Sequence, residues 1–346
     1  MSLTFHAPGH KTVPSGPGTR ASTASASVPA DRASADSAPA ASSGPVTAAL
    51  IHKADPEEVL LTAWRRTGED AFVFAARWPR AHRFYVTPDG RYTPALFAET
   101  VRQTFSALTH AAYGVPFGYQ LIWDELAFEV STAALYVGPG PAALTLHVSC
   151  DATHSRRGVL TAAALEVTVE RDGMLLGTAR TRFTVHPATL YARLRRARTD
   201  ARGAMDAAPR AQAPLDPAAV GRTRAADVVL GAEGGPGRRE LRVDTAHPVL
   251  FDHPVDHVPG MLLVEGVQQA AVAALGPDAR LRSLSISFQR FAELDAPCHL
   301  SYRVIRPAPG APGPTAPVVH VEAEQDGEPV FTATATATAT GSAEQG

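Results

Sequence analysis

Two segments of this chain share a pattern that places a glutamate inside an otherwise apolar helix. The first, residues 93–112, opens with Thr93 and Pro94, which suit the N-cap and first turn of a helix. It contains Glu99-Thr-Val-Arg-Gln103, and a later segment contains Glu265-Gly-Val-Gln-Gln269. Burial of a carboxylate is costly without a partner, so the pattern predicts two core helices whose carboxylates are used. The large apolar residues of the first segment recur at helical spacing: Leu96, Phe97, Val101, Phe105 and Leu108.

Three anchors recur in the same order along the chain and indicate an internal duplication. The offsets between copies are 169, 166 and 154 residues, and shorter loops in the second copy explain why they fall. Chance matching is the alternative. The anchors are Lys53-x4-Glu58-Val-Leu-Leu against Arg222-x4-Asp227-Val-Val-Leu, Glu99-x-Val-x-Gln103 against Glu265-x-Val-x-Gln269, and Asp172-Gly173 with Thr178-Ala179 against Asp326-Gly327 with Thr332-Ala333.

The order of elements gives each copy a long helix against one face of an antiparallel sheet of about five strands. The two Asp-Gly pairs are hairpin turn signals, and the Thr-Ala alternation near the C-terminus has the period of a strand. We therefore predict an α+β chain of two tandem hotdog domains, each an antiparallel sheet wrapped on a long central helix, which together form an intrachain pseudo-dimer. Composition predicts a disordered segment over 1–46, a first domain over 47–192, a linker over 193–219 and a second domain over 220–341.

Charge and cysteine content narrow the class of protein. The net charge of −2 argues against nucleic acid or an anionic membrane as a partner. With Cys150 and Cys298 as the only cysteines, a disulfide framework is not expected and a reducing compartment is. No apolar run approaches the roughly 20 residues needed to span a bilayer, and the first residues lack an apolar signal core. These features predict a soluble cytoplasmic protein.

The entry to the second helix, Pro259-Gly-Met-Leu-Leu-Val-Glu-Gly-Val-Gln-Gln269, resembles the hotdog dehydratase signature Pro-Gly-x-Leu-x-x-Glu-x-x-x-Gln. In that family a His stands fourteen residues before the Glu, and at that position this chain has Phe251. The dehydratase pair is therefore incomplete here.

A set of short stretches along the chain carries a closer resemblance. They are His52-Lys53, Val59-Leu-Leu-Thr62, Ala76-Arg-Trp-Pro-Arg80, His82-x-Phe84-Tyr85, Ala98-Glu-Thr-Val-Arg-Gln103, Tyr113-Gly-Val-Pro116 and His247-Pro with Phe251 through Glu265. Through them the chain, from about Ile51 to Gly341, resembles the A-factor biosynthesis (AfsA-like) family of tandem hotdog proteins of streptomycetes. The resemblance implies a γ-butyrolactone synthase that joins a β-ketoacyl group, delivered on acyl carrier protein, to the hydroxyl of dihydroxyacetone phosphate. Ring closure and loss of water would then give a butenolide phosphate.

One position departs from that family. Its second helix typically reads Glu-x-x-Arg-Gln, and the resemblance implies that this Glu and Arg are essential. Here the Arg position holds Gln268, which can donate hydrogen bonds but carries no charge. If the family's Arg binds a phosphate or an enolate, that charged contact is lost in the second copy.

The implied reaction needs a base, an acid and donors to a thioester oxyanion. We expect Glu265 to be the principal base and Glu99 the partner acid or base, provided that burial raises their pKa values toward neutrality. Arg102 and Gln268 complete the expected catalytic set, and Gly260 opens a helix whose free N–H groups would face a carbonyl oxygen. Further residues expected to bind substrate are Arg77, Arg80, His82, Gln103, His253, His257 and Gln269.

Several alternatives remain open at this stage. The two glutamates could form structural ion pairs with arginine, and Gln103 and Gln269 suit hydrogen bonds between helix and sheet. The His and Asp residues of 244–257 match no closed zinc spacing, so no metal and no cofactor are expected, and the loop is expected to shape a pocket mouth. Competing functions are a hotdog dehydratase or thioesterase, or a non-catalytic binder of an acyl carrier protein. The pseudo-dimer could be a monomer or pair again as a homodimer, and the Arg193–Arg198 cluster is either a docking site or a solvated linker.

Overall fold

The computed structural model describes residues 42–338 except 151–153, 157, 233 and 307–315. Most of the segment predicted to be disordered, 1–41, lies outside the described residues, as does the end of the Thr-Ala strand after 338. Regular structure begins at β1, Ser43–Pro45, slightly before the boundary expected at residue 46. The boundaries of the two domains and of their linker remain a prediction.

Two long helices occupy the positions expected from the glutamate pattern. Helix α1 spans Pro94–Ala107 and continues as a π-helical segment, Leu108–Ala112. Helix α4 spans Gly260–Leu275. Two short helices, α2 at Ala188–Leu194 and α3 at Ala201–Ala207, fall in or next to the expected linker, which is therefore partly helical. No helix of the described residues is long and apolar enough to cross a membrane.

The described strands form one 13-stranded antiparallel sheet. After β1, the strands are β2 Leu61–Arg66, β3 Ala71–Trp78, β4 Gln120–Val130, β5 Ala142–Cys150, β6 His154–Arg156, β7 Val159–Arg171, β8 Met174–His186, β9 Arg238–Glu240, β10 Arg280–Phe288, β11 Cys298–Ile305, β12 Val318–Gln325 and β13 Glu328–Thr338. Strand β6 pairs only with β7, and the other strands follow the order β1-β2-β3-β5-β7-β8-β4-β10-β13-β12-β11-β9.

The strand order repeats about the centre of the sheet. The path β4-β8-β7-β5-β3 on one side matches β10-β13-β12-β11-β9 on the other, and β4 pairs with β10 antiparallel between the halves. Both predicted hairpin turns are present. Asp172 and Asp326 have φ of 53° and 54°, and the glycine after each also has positive φ, as a type I′ turn requires. The prediction of two tandem hotdog units joined into one sheet is confirmed.

The core lies between the helices and the sheet. The five large apolar residues expected on α1 are all buried, and Phe105 stacks on Phe183 of β8 with ring centroids 4.8 Å apart. Thr93 does occupy the N-cap of α1, but its side chain makes no capping hydrogen bond, contrary to expectation. Its hydroxyl therefore stays available for another partner.

Candidate active site

Glu99 is fully buried on α1 and is held by two cations. Arg102 donates from Nε to Oε2 at 2.8 Å and from Nη2 to Oε1 at 2.7 Å, while Lys53 Nζ lies 3.5 Å from Oε1. Burial alone would raise the pKa of Glu99, but the charges of Arg102 and Lys53 and the hydrogen bonds from Arg102 and Gln103 lower it to about 2. The expectation that burial brings this pKa toward neutrality is wrong, and Glu99 is an ionised carboxylate bonded to Arg102.

Glu265 is equally buried on α4, but its cation comes from outside the helix. Arg222 donates from Nε to Oε1 at 2.9 Å, and its Nη2 lies 2.5 Å from the same oxygen. Gln268 donates only a long 3.4 Å bond to Oε2. Arg222 occupies the position of Lys53 in the duplicated anchor. The second copy thus has one cation on its glutamate where the first has two.

The two glutamines expected at the site join the helices to the rest of the fold. Gln103 accepts from Leu60 N at 2.9 Å and donates to Glu58 O at 2.8 Å. Gln269 repeats both bonds in the second copy, to Val229 N at 2.9 Å and Asp227 O at 2.8 Å. Each also donates to the glutamate of its own helix. The structural interpretation of this pair is therefore favoured over substrate binding.

His82 has a structural role that its duplicate repeats. Its Nε2 lies 3.1 Å from Glu58 Oε1, and its Nδ1 accepts from the N–H groups of Phe84 and Tyr85. His247 makes the same set of contacts in the second copy, with Asp227 as the carboxylate at 3.4 Å. Because both ring nitrogens have partners in the protein, the expectation that His82 binds substrate is not supported.

The other predicted arginines do not converge on the glutamates. Arg77 and Arg80 are exposed, and neither lines a cavity of the described residues that contains Arg102. Within the Arg193–Arg198 cluster, Arg195 is buried and donates to both oxygens of Glu293, at 2.6 and 2.8 Å. At least this member of the cluster is a structural ion pair and not a solvated linker residue.

A cavity of about 1040 Å³ brings residues of the two halves together. The first half contributes Glu99 with its partners Arg102 and Lys53, and the second half contributes the His- and Asp-rich loop and the start of α4. Glu265 and Gln268 do not line it. The residues that line it include His52, Lys53, Glu99, Arg102, Asp252, His253, Asp256, His257 and Gly260.

The loop before α4 holds its two histidines with carboxylates. His257 Nδ1 is 2.6 Å from Asp256 Oδ1, and Tyr191 of α2 donates to the same carboxylate at 2.9 Å. Burial would raise the pKa of Asp256, but His257, Tyr191 and Arg195 together lower it. The aspartate therefore stays charged and holds His257 through Nδ1, and no described residue forms a hydrogen bond with His257 Nε2.

The neighbouring Asp252 links the loop to the first half. It accepts from Ala54 N at 2.9 Å and lies 2.5 Å from His253 Nδ1. Burial would raise its pKa, but the hydrogen bond from His253, the charge of Lys53 and the bond from Ala54 lower it to about 2. Asp252 thus faces the ammonium of Lys53 across the boundary between the halves.

His52 is a site residue that the sequence analysis did not single out. It adopts a left-handed backbone conformation, φ 56° and ψ 46°, which is rare outside glycine and often marks functional positions. Burial and the nearby His110 and Arg102 lower its pKa to about 4, so the ring is neutral. Because His110 Nδ1 donates to Val115 O, its Nε2 accepts from His52 Nε2 at 2.7 Å. The Nδ1 lone pair of His52 is then left for a ligand.

The start of α4 supplies backbone donors to the same cavity. Gly260 and Met261 are the first residues of the helix, where N–H groups have no intrahelical acceptor. A Cβ on Gly260 would lie 3.0 Å from Trp123 Cε3, so only glycine fits comfortably against the Trp123 ring. The expectation that this turn presents N–H groups is supported by the position of both residues on the cavity wall.

A second chamber, of about 560 Å³, adjoins this cavity. The two share His52, Arg102, His257 and Gly260 as lining residues. Most of the second chamber is apolar and lies beside the β4–β10 junction. Its apolar walls include Phe105, Leu121, Trp123, Leu263, Phe288 and Phe291. Among the residues that the structure describes, no group of three or more His, Cys, Asp or Glu side chains could hold a metal.

Fold and cavity together define a tandem hotdog protein with one large site shared between its halves. Residues 34–187 and 203–341 match the A-factor biosynthesis hotdog domain. The chain belongs to the A-factor biosynthesis (AfsA) family.

Named relatives are similar over most of their length. The 2-oxo-3-(phosphooxy)propyl 3-oxoalkanoate synthase of Streptomyces virginiae is 41% identical over 285 residues, covering 82% of this chain and 94% of the relative. The protein of the same name from Streptomyces coelicolor is 39% identical over 294 residues, covering 84% and 90%. Among solved structures, the 12:0-ACP thioesterase from Umbellularia californica is 12% identical with a TM-score of 0.48, covering 77% of this chain and 94% of that one.

Proposed function

We propose that the chain is a γ-butyrolactone synthase that joins a 3-oxoalkanoyl group, carried as a thioester on acyl carrier protein, to a hydroxyl of dihydroxyacetone phosphate. Ring closure and water loss then give a butenolide phosphate. The observation that carries the proposal is the shared cavity, where Arg102, the Asp256–His257 pair and the free N–H groups of α4 meet beside an apolar chamber. The name of the Streptomyces relatives describes the ester that such a transfer forms.

The apolar chamber suits the acyl chain. Its walls come from both halves, with Phe105 and Trp123 from the first and Leu263, Phe288 and Phe291 from the second. Trp123 and Phe288 pack with ring centroids 5.4 Å apart, on neighbouring strands of the junction. A chain lying there would bring its thioester carbonyl to Gly260, which lines both spaces.

Arg102 and Lys53 are proposed to hold the phosphate. Glu99 engages Nε and Nη2 of Arg102, and no described residue accepts a hydrogen bond from Nη1. The free edge of this guanidinium is therefore a charged donor on the cavity wall. Glu99 fixes its direction and does not need to exchange protons. This assigns Glu99 a positioning role where the sequence suggested proton transfer.

His257 is the proposed base of the transfer step. Its Nε2 removes the proton of the substrate hydroxyl while that oxygen attacks the thioester carbonyl. The N–H groups of Gly260 and Met261 stabilise the negative charge on the carbonyl oxygen. When the tetrahedral intermediate collapses, the C–S bond breaks and the sulfur takes the proton from His257. Asp256 stabilises the imidazolium between these two events.

Neutral His52 is proposed to assist ring closure. The methylene between the two carbonyls of the ester is acidic, and its carbanion attacks the ketone of the dihydroxyacetone unit. A base of lowered pKa with a free Nδ1, next to Arg102, suits this proton transfer. Loss of the resulting hydroxyl with the remaining methylene proton gives the butenolide and water.

An acyl carrier protein would approach over α2. Leu190 and Leu194 of this helix are exposed, and Leu194 lines the acyl chamber. Arg193 and Arg196 beside them are exposed and have no ion pair among the described residues. Apolar contacts flanked by arginine fit a partner with an acidic surface. The low cysteine content supports the cytoplasm as the compartment, and the proposed reaction needs no cofactor.

The proposal is tested with purified protein, a β-ketoacyl thioester of acyl carrier protein and dihydroxyacetone phosphate, with products identified by mass spectrometry. Butenolide phosphate or its ester precursor supports the proposal. Enoyl thioester would indicate a dehydratase, and free acid a thioesterase. Carrier binding without turnover would indicate a non-catalytic binder. Repeating the assay with His257→Gln and with Glu265→Gln separates the composite site proposed here from the one expected on α4.

A further inference from the structure

A third cavity, of about 310 Å³, lies between helix α4 of the second copy and the start of α1. Gln268 and Arg222 line it, as Arg102 and Lys53 line the large cavity in the first copy. The start of α1 closes it, as the start of α4 closes the large cavity. This smaller cavity is therefore the counterpart of the proposed active site in the repeat.

The counterpart lacks the groups that the proposed chemistry needs. In the register of the two helices, Pro94 stands where the large cavity has Gly260, and proline has no N–H to offer an oxyanion. Arg91 stands where the large cavity has His257, so the base is missing as well. The counterpart cavity is therefore present without the groups that we propose for catalysis in the large cavity.

Four residues that line the cavity have a buried polar atom without a hydrogen bond among the described residues: Tyr92 Oη, Thr93 Oγ1, Arg222 Nη2 and Gln268 Oε1. Gln268 Nε2 donates to Glu265 Oε2, because the opposite amide orientation would place oxygen against a carboxylate. Gln268 Oε1 is left buried and without a hydrogen bond. Thr93 Oγ1 is also buried and unpaired, since this N-cap residue does not cap its helix. Buried polar atoms are nearly always satisfied in proteins, so Gln268 Oε1 and Thr93 Oγ1 are both placed to form a hydrogen bond with a molecule that enters the cavity.

The inner end of the cavity does not suit an anion. Arg222 is its buried cation, and its charge is balanced by the buried carboxylate of Glu265. Nη1 donates to Phe84 O at 2.6 Å, while Nε and Nη2 face Glu265 at 2.9 and 2.5 Å. At the rim, Asp89 lies between Arg91 and Arg280, at 3.5 and 3.4 Å. The apolar walls are Leu135, Val220, Val272 and Leu281.

We propose that this cavity is a binding site for a small uncharged alcohol. The hydroxyl of the ligand donates to Gln268 Oε1 and shares a hydrogen bond with Thr93 Oγ1. Its alkyl body packs on the apolar walls. The site is separate from acyl transfer and does not depend on the function proposed above.

The test compares 1-hexanol with its isomer 1-methoxypentane, which has the same size but no O–H to donate. Ligand-observed NMR titration of the full chain gives both dissociation constants, and crystals soaked in 1-hexanol locate the molecule. We expect 1-hexanol to bind roughly tenfold more tightly than the ether, the effect of one satisfied buried acceptor. Gln268→Leu should remove this difference, and Thr93→Val should reduce it.

Gln289→Leu is the matched control, because Gln289 lines the acyl chamber and not this cavity. It should keep the preference for the alcohol. The proposal is overturned if wild type binds both isomers equally, if both the Gln268 and Thr93 variants keep the preference, or if soaked 1-hexanol occupies only the acyl chamber. Tighter binding of hexanoate than of 1-hexanol, lost in the Gln268 variant, would instead make the cavity an anion site.

Discussion

Replacing Arg102 with glutamine would make the first copy resemble the second. The variant should fold, since Glu265 already lies buried with one cation and a glutamine at the corresponding position. Glu99 would keep Lys53 at 3.5 Å and the hydrogen bond from Gln103, so it would remain a carboxylate, although its pKa would rise from about 2. What the variant loses is the free charged edge of the guanidinium that we assign to the phosphate.

The size of the effect follows from that single contact. A hydrogen bond to a charged group contributes about 1.5–3 kcal/mol, which corresponds to roughly a 10- to 150-fold higher KM for dihydroxyacetone phosphate. Because His257 and Gly260 are untouched, the kcat of the acyl-transfer step should change little. Unphosphorylated dihydroxyacetone lacks the group that Arg102 contacts, so its KM should be nearly the same in wild type and Arg102→Gln. Steady-state assays with both acceptors measure the difference directly.

Arg180→Gln is a suitable control, because Arg180 is 78% exposed and pairs only with Glu166 on the sheet surface. It should leave both KM values unchanged. An equal rise in KM for the phosphorylated and unphosphorylated acceptors would refute the assignment of Arg102 to the phosphate. A large fall in kcat with unchanged KM would place Arg102 at the reacting carbonyl instead.

Three further outcomes are expected. His257→Gln should lower kcat/KM by about 10²- to 10⁴-fold through loss of the base. The same change at the exposed His147 should not. An active His257 variant would show that another residue is the base, with His52 the first alternative. Gly260→Ala should lower kcat, since its Cβ would lie 3.0 Å from Trp123. Gly140→Ala, whose Cβ would have nothing within 4 Å, serves as the control. Equal rates for the two variants would mean that the start of α4 is not at the reacting carbonyl. Glu99 has a folded-state pKa lowered from 4.5 to about 2, so the stability it contributes is present above pH 4.5 and lost as the pH falls toward 2. The melting temperatures of wild type and Glu99→Gln should therefore differ most at neutral pH and converge in acid. A difference that stays constant with pH would contradict this.

The fold could be predicted from the sequence because its signals are local or repeated. Each Asp-Gly pair adopts the positive φ values of a hairpin turn, and each Glu-x-Val-x-Gln segment lies on a buried helix. Colinear order then sufficed to predict the duplication. Even the Lys53–Arg222 equivalence was visible as an anchor, but spacing alone does not show that both residues contact the glutamates.

The site was less predictable because its electrostatics come from distant segments. The pKa of Glu99 is lowered first by Arg102 on the same helix and then by Lys53, which lies outside the helix and whose contact no periodicity reveals. The lowered pKa of His52 comes from burial and from His110, which lies 58 residues further along the chain. Arg77 and Arg80 are exposed and do not line either cavity that contains Arg102, because charge near a helix entry in sequence does not determine which way the side chain faces.

The pairing of β4 with β10 has a consequence for how such a protein can change. In a homodimer built from two separate chains, a substitution at the arginine position would alter both sites at once. Here the two halves are joined through one continuous sheet and encoded separately, so Gln268 could arise while Arg102 was retained. Substitutions can therefore accumulate around Gln268 in the second copy while the residues around Arg102 in the first copy are retained.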